Sequence, residues 1–218
     1  MNKLFILGSS RGLGKEILKS AISKDYNIRA LVRNNKYLCD SEKVKFYQGD
    51  ATNIEDLRNS IGESEIIISS LNVMRKNIFP WSGIINSKNT VSEFIKNINI
   101  LSKDLKIKRI ITISAWGVGS SYKNIPLWFK YFIKGSNIKY PYLDHEKHEF
   151  ELRKSQINWT IIRPTFLVNF GGYYNVMESD ENYPKPNLFV SRKSLANFII
   201  NIINSNNHNK KIITVSKQ

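Results

Sequence analysis

Cysteine is almost missing from these 218 residues: Cys39 stands alone. A disulfide framework and a cysteine-based zinc site are therefore excluded. Histidine is nearly as scarce, and the i,i+3 pair His145 and His148 is by itself a poor case for a metal. No apolar run approaches the ~18 residues of a spanning helix. The apolar start Met1–Leu7 breaks at Gly8, too soon for a signal peptide. No linker rich in proline, glycine or serine and no internal repeat is found, which points to one domain over residues 1–218. Acidic residues are few, 18 against 33 Lys and Arg, for a net charge of +15. The lysines are scattered among many Asn and Ile, and basic runs stop at two residues, as in Lys210-Lys211. That pattern reads as compositional bias rather than a polyanion surface, so neither a nucleic-acid nor a membrane partner is expected. A cytoplasmic protein, monomeric or homodimeric, acting on a small molecule is the expectation.

Hydrophobic residues make up 41% of the chain, an ordinary globular share. Short runs that are apolar throughout predict strands at Lys3–Leu7, Ile28–Val32, Val44–Tyr47, Ile66–Ser69, Arg109–Ile113, Trp159–Ile162 and Ile212–Val215. Helical spacing predicts helices over Arg11–Lys24, Ile54–Ser60, Ser87–Leu101, Asp144–Lys154 and Ser191–Ile203. Strands without polar alternation, separated by amphipathic helices, imply a parallel sheet covered on both faces. The fold class is α/β, a Rossmann-type doubly wound sheet with a small irregular lobe on the substrate side. Residues 74–83, 117–142 and 171–187 lack a clear period and hold much of the aromatic content. They follow strands whose carboxyl ends should carry the ligand, so they are expected to form its rim.

The first strand runs directly into Gly8-Ser9-Ser10-Arg11-Gly12-Leu13-Gly14 and then a helix. Gly8 permits a tight turn, Gly12 a close approach of backbone to a pyrophosphate, and Gly14 close packing of helix on strand. Free amides and the positive end of the helix dipole then face the anion. An NAD-binding chain carries an acid at the end of the second strand for the ribose 2′-hydroxyl. Here that strand ends in Arg33. Arg33, with Arg11 opposite, suits a 2′-phosphate, which favours NADP(H). Asp50-Ala51 follows the third strand; Asp50 either contacts the adenine amine or caps the helix starting near Asn53.

Taken together, these segments resemble the atypical short-chain dehydrogenase/reductases, in the NmrA-like and biliverdin/flavin reductase B-like branch. The resemblance spans nearly the whole chain. Its most specific stretches are Ser114-Ala-Trp-Gly-Val-Gly119 and Trp159-Thr-Ile-Ile-Arg-Pro164. Asp144-His145, Leu152-Arg-Lys-Ser155 and Ser191-Arg-Lys-Ser-Leu-Ala196 extend it. The resemblance implies that Gly8–Gly14 holds the pyrophosphate and Arg33 the 2′-phosphate. It implies that Ser70, Leu71 and Asn72 line the adenosine ribose, and that Pro164, Thr165 and Phe166 flank the nicotinamide. Ser114 matches the family's active-site serine.

One departure bears on the chemistry. The Tyr-x-x-x-Lys dyad of the catalytic short-chain dehydrogenases is absent: its lysine position falls on His145 and its tyrosine position on Pro141. Tyr142, beside that proline, has Glu146 rather than lysine four residues on. Ser114, His145 and Tyr142 remain the candidate catalytic residues. His145 either meets the nicotinamide ribose, donates a proton, or merely starts a helix. His148, among Glu146, Lys147 and Glu149, reads as a solvated helix face. Arg163 is expected to pair with a carboxylate near the sheet end. Trp116, Trp128 and Phe129 form either an aromatic substrate wall or a small core beneath the loop. The expected function is transfer of hydride from NADPH to a small conjugated acceptor such as a flavin, quinone or tetrapyrrole. The alternative is a non-catalytic NADP(H)-binding sensor or assembly factor.

Overall fold

The computed structural model describes residues 3–34 and 42–218; Cys39 lies outside them. All seven predicted strands form. They are β1 (Lys3–Leu7), β2 (Asn27–Val32), β3 (Val44–Gln48), β4 (Ile66–Ser69), β5 (Arg109–Ile113), β6 (Asn158–Pro164) and β10 (Lys211–Lys217). Three short strands join them: β7 (Phe166–Val168), β8 (Val176–Ser179) and β9 (Phe189–Ser191). The main sheet runs β3-β2-β1-β4-β5-β6-β10-β8. Every pairing in it is parallel except β8 on β10, which is antiparallel. The chain winds outward from β1 to β3 and returns to β4 on the other side of β1. The switch point therefore lies between β1 and β4, where open α/β sheets bind their ligands.

The helices are α1 (Gly12–Ser23), α2 (Ile54–Ile61), α3 (Thr90–Leu101), α4 (Leu127–Lys134), α5 (Lys139–Arg153) and α6 (Arg192–Asn201). Successive β1 residues point to opposite faces. Leu4 and Ile6 join Ile17, Leu18, Ala21, Leu195 and Ile199 of α1 and α6 in one core layer. Phe5 and Leu7 join Leu57, Phe94, Ile95, Ile98 and Leu152 in the other. Both faces of the sheet are thus covered, as continuous apolar strands require.

Two rim expectations need correction. Residues 117–142 are largely helical. They hold a 3-10 turn at Gly119–Asn124, all of α4, and the start of α5 five residues before the expected Asp144. Phe129 and Ile133, spaced i,i+4, bury one face of α4. Pro141 falls in the first turn of α5, where its missing N–H costs nothing. Residues 171–187 include the edge strand β8 and contribute no side chain to the cleft described below.

Candidate functional site

A cleft of about 1050 Å³ opens at the switch point, along the carboxyl ends of β1, β2, β4, β5 and β6. Its floor is the turn from β1 into α1. Gly8 and Gly12 adopt φ of +78° and +57°, left-handed values that favour glycine. A Cβ on Gly14 would collide with the carbonyl oxygen of Gly8 and with Ser70 Oγ. The first amides of a helix have no partner within it. At α1 nothing among the described residues replaces that partner: Arg11, the N-cap, makes no side-chain cap, and the first turn holds no acid. Ser9 Oγ nearby is buried and has no hydrogen-bond partner among the described residues. Free amides, an unpartnered hydroxyl and glycine backbone make a cradle of donors that fits a pyrophosphate. Ser10 and Leu13 also line it.

Arg11 and Arg33, both exposed, stand in the lining beside the start of α1 and the end of β2. Arg33 donates to Met74 Sδ. Asp50, Ala51, Leu71 and Asn72 complete this end. Asp50 does not cap α2. Its Oδ1 accepts from Thr52 N and Thr52 Oγ1, each at 2.8 Å, closing a turn. The cap is Asn53, whose side chain accepts from Glu55 N and Asp56 N. The capping alternative fails because Asp50 sits one turn too early. Ser70 donates its hydroxyl to the Leu7 carbonyl at 3.0 Å, tying β4 to β1 beneath the cleft.

The other end is organised by α5, whose buried face is polar: Asp144, His145, His148 and Glu149 point inward with Pro141 and Leu152. Leu143 and Phe150 are exposed instead. His148 is therefore not solvated; it is fully buried. Asp144, His148 and Glu149 each meet a partner on another element, and His145 meets His148. Asp144 accepts from Val91 N, Ser92 N and Ser92 Oγ, and so caps α3. Glu149 takes Arg163 Nε at 2.9 Å and Nη2 at 2.6 Å, the carboxylate expected for that arginine. Ser114 donates to the same Glu149 at 2.7 Å. With its proton committed there, the Ser114 oxygen can only accept from a ligand in the cleft.

The histidines form a chain. Thr112 Oγ1 lies 3.2 Å from His148 Nε2, and His148 Nδ1 lies 3.3 Å from His145 Nδ1. Burial holds both pKa values below the ordinary histidine value, so both rings are neutral near pH 7. Thr112 is fully buried and His148 is its hydroxyl's partner among the described residues. If Thr112 donates to Nε2, His148 carries its proton on Nδ1 and donates to His145. The His145 proton then sits on Nε2. The reverse order would leave the Thr112 proton without an acceptor. His145 lines the cleft. Tyr142 also lines it, but its hydroxyl donates to the Trp116 carbonyl at 3.2 Å, and burial pushes its pKa above the usual tyrosine value.

Trp116 and Phe129 are at once cleft wall and satellite core, packed with Ile125 and Ile133. Trp128 lies outside the lining; it is exposed and stacks on Phe166 with centroids 6.4 Å apart. Pro164, Thr165 and Phe166 line the cleft where β6 ends. Arg192 is a cleft residue that the sequence reading passed over. It is half-buried, donates to Asn169 Oδ1 at 2.8 Å, and forms no ion pair among the described residues. A Cβ on Gly12 would stand 3.9 Å from its Nε, so the guanidinium overlooks the glycine cradle. Only its place at the start of α6, after the cap Ser191, marked it in the sequence.

The sequence model of an NAD(P)H-binding family matches residues 8–206, from the glycine turn to the end of the sheet-covering helices. The chain belongs to that NAD(P)H-binding family. No curated protein matches the sequence. Among solved structures the chain is similar to the oxidoreductase ylbE of Lactococcus lactis, with 21% identity and a TM-score of 0.79. That match covers 99% of this chain and 91% of that one. A short-chain dehydrogenase/reductase of Veillonella parvula, in complex with NADP, matches at 19% identity and a TM-score of 0.79, covering 99% and 94%. ChuY of Escherichia coli O157:H7, an anaerobillin reductase, matches at 17% identity and a TM-score of 0.77, covering 99% and 97%. At these identities the likeness carries the Rossmann-type fold, and family membership carries NAD(P)H binding.

Proposed function

We propose that the chain is an NADP(H)-dependent oxidoreductase that passes hydride to a planar, conjugated acceptor of flavin, quinone or linear tetrapyrrole type. One observation carries the reading: a single cleft runs from the uncapped start of α1, past two arginines, to the wall of Trp116, Phe129 and Phe132. The preference for NADP rests on Arg33 and Arg11, cations where an acid would favour NAD. The NADP complex of the Veillonella relative and the reductase activity of ChuY agree with it.

The bound nicotinamide supplies the hydride, so little acid–base work falls to the protein. Gly8–Gly14 and α1 hold the pyrophosphate, with Arg192 adding a charge that forms no ion pair among the described residues. Ser114, an acceptor held by Glu149, receives the amide of the carboxamide and fixes the ring. Thr165 and Pro164 back the ring at the end of β6. His145 presents Nε2–H to the acceptor and stabilises the charge that develops on it. Trp116, Phe129 and Phe166 orient the flat acceptor, and most of the rate comes from that orientation.

The test is NADPH fluorescence. Emission should shift blue and saturate on adding protein, and should decay when a flavin, quinone or tetrapyrrole is supplied. Absence of binding would overturn the reading. Binding without decay across all three acceptors would favour the non-catalytic sensor, which the missing dyad and the engaged Tyr142 hydroxyl also suit.

A further inference from the structure

Beside the cleft mouth, two segments far apart in sequence form one exposed apolar face. The loop of residues 74–85 carries Ile78, Phe79, Trp81 and Ile85, with Ile78 94% exposed. Helix α4 carries Leu127, Trp128 and Tyr131, the first and last 71% and 74% exposed. The segments are bound to each other. Asn137 Nδ2 donates to the carbonyls of Trp81 and Ser82, its backbone N–H to Pro80, and Trp81 Nε1 to Gly135. Ring contacts continue from Phe79 through Trp81, Phe132 and Phe129 to Trp128. The ring chain passes beneath the surface at the buried Phe129, and it joins two segments whose large exposed apolar side chains are uncommon on a monomer when gathered together.

Charge identifies the occupant. Residues 74–88 carry Arg75, Lys76 and Lys88; residues 117–142 carry Lys123, Lys130, Lys134 and Lys139; neither stretch has an Asp or Glu. The other exposed apolar stretch, Phe170–Phe189, contains Glu178, Asp180 and Glu181 and lacks this bias. Against a second copy of itself, the face would set cation on cation with no acid to pair them. Among the described residues no helix is long and apolar enough to cross a membrane. Protruding Trp, Tyr, Leu and Ile among lysines that form no ion pair among the described residues match the interfacial zone of an anionic leaflet. We propose that this face is a peripheral docking surface for an anionic lipid bilayer. The bilayer holds the cleft mouth at the membrane. The inference stands apart from the cofactor reading, because none of the groups on which it rests is needed to hold NADPH.

Flotation of the full chain with vesicles tests it. Vesicles of phosphatidylcholine with about one third phosphatidylglycerol should bind at least about tenfold more protein than phosphatidylcholine alone, less so at high salt. Tryptophan emission should shift blue on binding. Leu127→Ser with Tyr131→Ser should cut the anionic partition about tenfold, as should Lys130→Glu with Lys134→Glu. Lys103→Glu with Lys210→Glu, remote and equal in charge, should change it less than about twofold. Circular dichroism and melting confirm that each variant is folded. The proposal falls if anionic vesicles bind no better than neutral ones, or if the remote pair matters as much as the patch pair. It also falls if Leu127→Ser with Tyr131→Ser leaves binding intact. Sedimentation showing a dimer that those two changes dissolve would reassign the face to a second copy.

Discussion

Helices α1 and α3 begin alike and end up differently employed. Neither N-cap residue, Arg11 or Asn89, makes a side-chain cap. At α3 the fold supplies the missing acceptor, Asp144, buried and bonded to two amides and a hydroxyl. At α1 no group among the described residues does so, although Arg11, Arg33 and Arg192 stand around it. A helix start satisfied by the protein is structural, and one left open amid positive charge is a binding site.

That contrast can be broken at several points. Gly14→Val has the largest expected effect. Its side chain cannot fit between the Gly8 carbonyl and Ser70, so the β1–α1 turn should not close. The readout is loss of soluble, cooperatively melting protein. Asp144→Ala strips α3 of its acceptor and strands two backbone donors, the amides of Val91 and Ser92, while the Ser92 hydroxyl keeps the Asn89 carbonyl. Stability should fall by about 3 kcal/mol in urea titration, and Asp144→Asn, which keeps one acceptor oxygen, should lose less. Arg33→Asp should weaken NADPH about a hundredfold while sparing NADH, measured by fluorescence titration; unchanged NADPH affinity would remove the arginine from the 2′-phosphate. Arg11→Asp sharpens the comparison directly. A carboxylate at an extended N-cap gives α1 what α3 already has. The free protein should gain about 1 kcal/mol, and NADPH affinity should drop about tenfold.

A further effect is in pH. The pKa values of His145 and His148 are lower in the folded chain than when unfolded, so the unfolded state binds more protons as pH falls. Their contribution is complete above the unfolded value near 6.5 and declines below it, toward the depressed folded values. Urea melts between pH 7 and 5 should show that decline, at up to about 1.4 kcal/mol per unit for each histidine. His148→Leu should flatten it.

The sheet was legible because its strands are apolar on both faces and need no partner's identity to be read. The glycine turn was legible because three glycines between a strand and a helix have few other uses. Helix α5 was not, because its inward face is the charged one. The fold leaves Leu143 and Phe150 exposed and brings Glu149 inward to Arg163. Only the pairing of Arg163 with some acid could be foreseen. Asn53 displaced Asp50 as a cap through a spacing of three residues, within the ordinary uncertainty of a helix start. Arg192 was passed over because its place above Gly12 depends on α6 packing beside α1, across nearly the whole chain.

The inward face of α5 also sets an order on synthesis. Glu149 leaves the ribosome ahead of β6, whose Arg163 is its partner. Until that strand follows, the only cation beside the Glu149 carboxylate among the described residues is the half-exposed Arg153 of the same helix, 3.5 Å away. Arg163 adds two shorter, buried bonds, so the inward face of α5 is fully paired only once β6 has been made.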